Sequence, residues 1–435
     1  MPHYPYQHIL LNKRGDTLFA SAANSVFVFS ISGTEATLIS KWTDQIDPYY
    51  GIRKHHKDLM EKYEREQREL DEAGNNEKKQ KAPKMPIPGP GAPPTFTYIR
   101  GMHLTRDDTH LIILTDNDKA AVVFKVNPLE TGSPSSVLRL VKRQPFPKRP
   151  SAVTTSLDDK NILVADKFGD VYSVGLLDTE IQDEEKMQPL LGHVSMLTCI
   201  DSSVDENGKE CVLTSDRDEH IRVSYYPKSY VIKKWLFGHK EFVSKFVLPS
   251  WSKGKVLVSG GGDNFICSWL WQAKEGGELV SQVSVDELVK NYLGDKHLVP
   301  EKFQNENHDF KEYCVSDIIP VDSCHKLAFI FERVNALFLF DLKDDGTLSY
   351  DKTVDTDADI ISGTVSGDIL ILSVESEERP IVAYKIEKKG DTYDIRQIAG
   401  AFQAVSENRV EVQSDDSKQN VPLFTVGGLR KRREH

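Results

Sequence analysis

The sequence has little cysteine: five stand among 435 residues, at Cys199, Cys211, Cys267, Cys314 and Cys324. Their number is odd and no two are spaced C-x-x-C. That argues against a disulfide scaffold or a structural zinc site and fits a reducing compartment. An excess of positive charge is also missing, since the formal net charge is −11. Domains that grip nucleic acid by their own field are usually basic, so that role is disfavoured for the chain as a whole, though not for a local patch. No apolar run approaches the ~18 residues of a membrane span. The longest, Leu327 to Phe340, is broken by Glu332 and Arg333. The opening Met-Pro-His-Tyr-Pro-Tyr has no basic stretch followed by an apolar one, so no secretory leader is expected. These absences predict a soluble intracellular protein.

Catalytic motifs are absent too. There is no G-x-S-x-G, H-E-x-x-H or P-loop. Ser259-Gly-Gly-Gly-Asp263 follows a strand-like run, but what comes next reads as a second strand rather than a helix whose N-terminus could hold a phosphate. In Gly89-Pro-Gly-Ala-Pro-Pro94 the prolines remove the N–H groups that a phosphate cradle needs. His55-His56 has no third ligand at metal spacing and reads as a solvated pair. No enzyme, cofactor or metal site is expected in this chain.

What the sequence does have is a repeat. A short apolar strand, a polar turn and a second strand recur at Leu111–Val126, Ile162–Val174, Val212–Ser224 and Val256–Trp269. Weaker copies lie at Thr17–Ile31, Leu327–Leu342 and Ile369–Ile386, which makes seven units. Turn residues Asp116, Asp166 and Asp216 keep a constant spacing. A lone hairpin of this kind is marginal in water. Radial stacking covers both faces and leaves only short edges, the logic of a β-propeller. Gly192-His193 precedes Asp218, and Gly238-His239 precedes Asp263, at the offset of WD repeats. The closing Trp-Asp has decayed to Val223-Ser224 and Ser268-Trp269. The expected fold is all-β: one seven-bladed WD40-type β-propeller over residues 1–435. His193, Asp218, His239 and Asp263 are expected to lock the blades; a pair repeated once per blade reads as structure, not catalysis.

Two insertions interrupt the repeats. The first, 43–94, is expected between blades 1 and 2. It is dense in charge of both signs and ends in a stiff Pro-rich linker over 81–94. Lys57–Glu72 has helix-supporting i,i+4 pairs but no continuous apolar stripe, so it reads as a solvated helix or as disorder. The second, 273–311, is expected between blades 5 and 6, with a short helix near Val285–Leu293. Loops on a propeller are where partners dock.

Basic clusters are few. Lys142-Arg143 and Lys148-Arg149 read as solvated loop charges. The tail 425–435 ends in Arg430-Lys431-Arg432-Arg433 and reads equally as a nuclear localisation element, an RNA-touching tail or a frayed end. Arg222 and Arg217 lie in the densely charged unit Ser215–Ser224. Such an edge suits pairing with an acidic side chain of a partner. The alternative is an internal network with Asp216, Asp218 or Glu219, and on chemistry alone that is the stronger reading.

Several strings go further. They are Pro88–Pro94, Tyr98-Ile-Arg100, Ala165-Asp-Lys-Phe-Gly-Asp-Val-Tyr-Ser173 and Leu191–Thr198. They continue with Ser215-Asp-Arg-Asp-Glu-His-Ile221, Trp235–Lys240, Phe303–Asn307 and the ending Leu429-Arg-Lys431. Carrying these, the chain resembles the non-catalytic WD-repeat subunit of the fungal tRNA (guanine-N7-)-methyltransferase over nearly its whole length. The resemblance implies a separate catalytic subunit that holds S-adenosylmethionine and forms m7G46 in tRNA. It implies that this chain does no chemistry, holds that subunit in its active form as a heterodimer in the nucleus, and touches tRNA little or not at all. It implies that Arg222 makes an ion pair with the catalytic subunit, with Lys167 and Arg217 as neighbours at the same edge. A generic WD scaffold of another nuclear complex and a direct RNA-binding propeller are the other classes open to such a chain.

Overall fold

The structure, a computed structural model, describes residues 3–47, 49–72, 98–127, 137–273, 278–304, 310–390, 392–412 and 425–432. Among them are seven four-stranded antiparallel sheets, each built from consecutive strands. Blade 1 spans 8–43, blade 2 spans 99–145, blade 3 spans 150–192 and blade 4 spans 197–236. Blade 5 spans 243–284, blade 6 spans 315–355 and blade 7 spans 360–397. The second and third strands of a blade are sandwiched between neighbouring blades, so they read as unbroken apolar runs. Leu111 to Leu114 and Val122 to Phe124 are fully buried. Outer strands such as Leu138–Pro145 are covered on one side and mix polar with apolar residues. The seven-bladed expectation holds.

A separate apolar seam fills each of the seven gaps between blades. The seams differ in substance. Between blades 5 and 6, Phe329, Phe331, Phe338 and Phe340 interlock. Between blades 3 and 4 the buried members are Leu163, Ala165, Val171, Leu191, Leu197, Ile200 and Val212, with no aromatic among them.

The ring closes without a blade shared between the chain ends. The segment after blade 7 returns to blade 1, where Phe402 and Val405 are fully buried. Tyr6 Oη donates to Val405 O at 2.9 Å. His3–Tyr4 then pairs with Val410–Glu411.

The first insertion contains a helix, Tyr50–Glu72. Lys54 near its start pairs with Glu184 beside blade 3. The Pro-rich linker 81–94 lies outside the described residues. The second insertion needs a correction. Glu278–Ser284, assigned to it from sequence, is the outer strand of blade 5 and pairs with Phe265–Leu270. Without that strand the third strand would keep an open edge. The short helix is present as Asp286–Val289 with a 3-10 turn at Lys290–Tyr292. Lys142 and Arg143 are not loop charges either. They lie on the outer strand of blade 2, where Arg143 bridges Asp44 at 2.8 Å and Asp118 at 2.5 Å, tying blade 1 to blade 2.

A candidate docking edge on blades 3 and 4

The hairpin turns explain the regular aspartates. Asp166 Oδ1 accepts from the N–H groups of Phe168 at 2.8 Å and Asp170 at 3.0 Å. Asp216 Oδ1 does the same for Asp218 at 2.8 Å and His220 at 3.0 Å. A carboxylate that accepts two backbone N–H groups fixes a tight turn, and the next side chains are thrown outward.

The locking network is complete in blade 5. His239 Nδ1 sits 2.7 Å from Asp263 Oδ2 and its Nε2 sits 2.7 Å from Ser259 Oγ. Trp269 Nε1 donates to the same Ser259 Oγ at 2.9 Å. The carboxylate can only accept, so Nδ1 carries the proton and Nε2 accepts from the serine. In blade 4 the expectation is corrected. His193 pairs with Asp216 at 2.8 Å and Thr214 at 2.8 Å, not with Asp218. Asp218 accepts from Ser195 Oγ at 2.6 Å and pairs with Lys431. The turn bends back at Glu219, with φ +72°, and it is Asp216, the last strand residue, that points inward. Both His–Asp pairs serve the scaffold.

Ser224 occupies the register position that Trp269 holds in blade 5. The space beside it is taken by Arg222, only 5% exposed. Its Nε donates to Ser224 Oγ at 2.7 Å, its Nη1 to Gly192 O at 2.8 Å and its Nη2 to Ser229 O at 2.9 Å. Its guanidinium lies 5.7 Å from the centre of the Trp235 ring. The internal network with Asp216, Asp218 or Glu219 is not formed. All three acceptors are neutral, and among the described residues Arg222 makes no ion pair. Burial lowers its pKa and no carboxylate offsets that effect. Two other buried cations do have carboxylates, Lys233 with Asp205 and Glu206 and Lys326 with Asp341 and Asp351, whereas Lys142, as buried as Arg222, donates to Gly175 O.

Around this cation the surface is apolar. Phe168 is 56% exposed, Phe237 is 67% exposed and Val194 is fully exposed. Phe168 and Val194 sit on touching turns, because His193 N donates to Gly169 O at 2.8 Å. Phe237 stacks on Trp235 at 6.3 Å, with His220 edge-on to both. Lys148 and Lys167 flank the Phe168 ring, their Nζ atoms 4.8 Å and 5.4 Å from its centre. Of the expected site residues, Lys167 is therefore exposed at this edge and Arg222 lies just beneath it. Arg217 is engaged elsewhere: its Nε donates to Leu429 O at 2.5 Å. Residues 425–432 of the tail are neither frayed nor free but lie along blades 4 to 6, and Arg433 lies outside the described residues. Sequence reasoning missed the three apolar residues. The available signal was a large apolar residue placed in a turn among charges, as in Asp-Lys-Phe-Gly-Asp.

Comparison with known proteins places this edge in context. The chain matches the tRNA methyltransferase TRM82 WD40 domain family over residues 18–189 and 180–405. The chain belongs to the TRM82 family. It is 38% identical to the tRNA (guanine-N(7)-)-methyltransferase non-catalytic subunit TRM82 of Debaryomyces hansenii, over 99% of this chain and 100% of that one. The protein of the same name from Kluyveromyces lactis is 38% identical and that from Saccharomyces cerevisiae 34%, each over 99% of both chains. Among solved structures, the RRP9 WD40 repeats superpose with a TM-score of 0.55 at 12% identity, covering 87% of this chain and 90% of that one. U3-55K gives a TM-score of 0.54 at 12% identity, covering 92% and 94%. At that identity the likeness shows the WD40 fold alone.

Proposed function

We propose that this chain is the non-catalytic subunit of tRNA (guanine-N7-)-methyltransferase, and that it captures the catalytic subunit as a heterodimer on the outer edge of blades 3 and 4. One observation carries the docking site: Arg222 is a buried guanidinium with no carboxylate partner among the described residues, held on Gly192 O and the Trp235 ring, whose neighbours Val194 and Phe237 are exposed. A partner that seats apolar side chains on this rim can place one carboxylate on the guanidinium. The low dielectric strengthens that pair, and the desolvation of the arginine has already been met by folding. Lys167 and Lys148 at the rim steer an acidic approach.

The role is stabilisation by binding. A rigid ring that binds only the competent form of the catalytic subunit raises its population by mass action, and it loses little entropy itself. The bond-making, with S-adenosylmethionine, belongs to the partner, whose product in this reading is m7G46. The chain's own share in holding tRNA is small. Lys54, Lys119, Lys148 and Lys167 crowd the face of blades 2 and 3, where burial first and then the other three lysines lower the Lys119 pKa. Such a cluster suits a minor phosphate contact. The reading places the complex in the nucleus, which imaging of a tagged chain would test.

The deciding experiment is tRNA methylation from labelled S-adenosylmethionine by this chain alone, the catalytic subunit alone and the two together. Activity confined to the pair, with N7-methylguanine as product, supports the reading. A catalytic subunit equally active alone, with no co-purification, overturns it. Phe168→Ser combined with Phe237→Ser tests the edge, since both side chains are mostly exposed and the ring should stay folded.

A further inference from the structure

Residues 425–432 do not simply rest on the ring; they fill a groove that reads their sequence. Glu332 of blade 6 uses both carboxylate oxygens to accept from Val426 N and Gly427 N, each at 2.7 Å. A Cβ at Gly427 would lie 2.7 Å from Glu332 Oε2, so a side chain there would push that carboxylate off the backbone. Leu429 is buried against Met196, Phe242 and Cys314. Arg430 donates to Gly262 O at 2.6 Å and Tyr313 O at 3.0 Å, and faces Glu241 at 3.4 Å and Glu312 at 3.6 Å. Arg432 pairs with Glu312 at 2.5 Å, and Lys431 pairs with Asp218. Backbone, one apolar anchor and three cations are each met by a complementary group. Val426 joins Leu429 on that cluster, and Arg430 and Arg432 lie over the Phe242 and Phe303 rings; the remaining contacts are polar and partly open to water. Ion pairs of that kind weaken with salt and let a segment release.

The groove also reaches the proposed docking edge. Arg217, holding Leu429 O, and Asp218, holding Lys431, both belong to the turn that begins at Asp216. The same turn carries His220, edge-on to Trp235 and Phe237. Holding two of its residues restrains the turn whose His220 packs on the Trp235 and Phe237 rings.

We propose that the groove across blades 4 to 6 is a recognition site for a Gly-Leu-Arg-Lys-Arg peptide, filled in cis by the chain's own end, and that filling it holds the blade 4 turn in the shape the catalytic subunit binds. The second half rests on the docking edge argued above. The test uses the full chain carrying Leu429→Asp and Arg430→Ala, whose own end no longer fits. A synthetic peptide of residues 421–435 should bind this variant saturably, more weakly as salt rises, and should bind the parent far less because the groove is occupied. The variant should bind the catalytic subunit about tenfold more weakly, the size of a typical coupling between sites, and added peptide should restore the loss. Glu332→Gln, made from the groove side, should loosen the end in the same way and guards against a folding defect of the first variant. A folded variant that does not take up the peptide overturns the site. Peptide uptake with unchanged affinity for the catalytic subunit overturns the coupling alone. Failure of the docking edge itself would show separately, as unchanged partner binding by the chain with Phe168→Ser and Phe237→Ser.

Discussion

Replacing Arg222 separates a structural arginine from a docking one. Its three hydrogen bonds hold Ser224, the Gly192 carbonyl on blade 3 and the Ser229 carbonyl. Bonds from a charged donor are each worth about 1.5–3 kcal/mol, but removing the arginine also ends the cost of keeping an uncompensated charge out of water. The net expectation for Arg222→Met, which keeps the alkyl packing on Trp235, is a loss of about 2–4 kcal/mol in the isolated chain. Urea unfolding should show a lower midpoint at an unchanged slope. The larger effect should fall on the complex. Losing one side of a buried charge pair costs about 2–5 kcal/mol, or roughly 30-fold to several thousand-fold in affinity. Titrating the still-folded variant with the catalytic subunit below its unfolding midpoint would measure it. Arg222→Glu is the poorer probe, because it would bury a carboxylate against two carbonyl oxygens. Partner binding within about twofold of the parent by Arg222→Met would show the arginine to be a staple between blades 3 and 4 only, and the docking reasoning would be wrong.

Other expectations follow from the scaffold. His239→Ala leaves Asp263 Oδ2 and Ser259 Oγ without that partner in a buried site, Asp263 keeping only the Lys240 N–H at 2.9 Å among the described residues, and should destabilise by about 2–3 kcal/mol, visible as a lower urea midpoint. Gly169→Ala forces a Cβ to within 2.5 Å of His193 O at φ +103°, and should cost more than about 2 kcal/mol while loosening the Phe168 turn, so heterodimer affinity should fall with it. Acid should weaken the fold around the cavity lined by His8, His103, Lys245 and Asp317. Burial holds both His8 and His103 down to about 4 from the usual 6.5, with Lys245 adding to the effect at His8 against Asp317, and Arg106 adding to it at His103. A depressed histidine leaves the folded state unable to take a proton that the unfolded chain accepts. Stability should therefore fall as pH drops from about 6.5 to about 4, by about 1–3 kcal/mol per histidine, and His103→Gln should flatten the slope. A urea midpoint that stays level over that range would contradict the assignment.

The number of blades was legible because repetition is a local signal. Seven strand–turn–strand units each carry their own apolar runs, four of them with turn aspartates, and only radial stacking covers such units. Membership of the TRM82 family was legible in strings such as Asp-Lys-Phe-Gly-Asp-Val-Tyr, which no blade needs merely to be a blade. The pairing of charges was not legible, as three cases show. The partner of His193 is Asp216 rather than Asp218, because backbone direction in a turn, with Glu219 at positive φ, chooses between carboxylates two residues apart. Arg222 proved buried and without an ion pair, because its fate depends on Ser224 leaving a tryptophan-sized space and on carbonyls supplied by Gly192 and Ser229. The basic end proved to be held by Glu241, Glu312, Glu332 and Asp218, which lie far from it and from one another in sequence. Pattern along the chain fixes which residues face a core. Which charges meet is decided by contacts between distant segments, and only the closed ring brings those together.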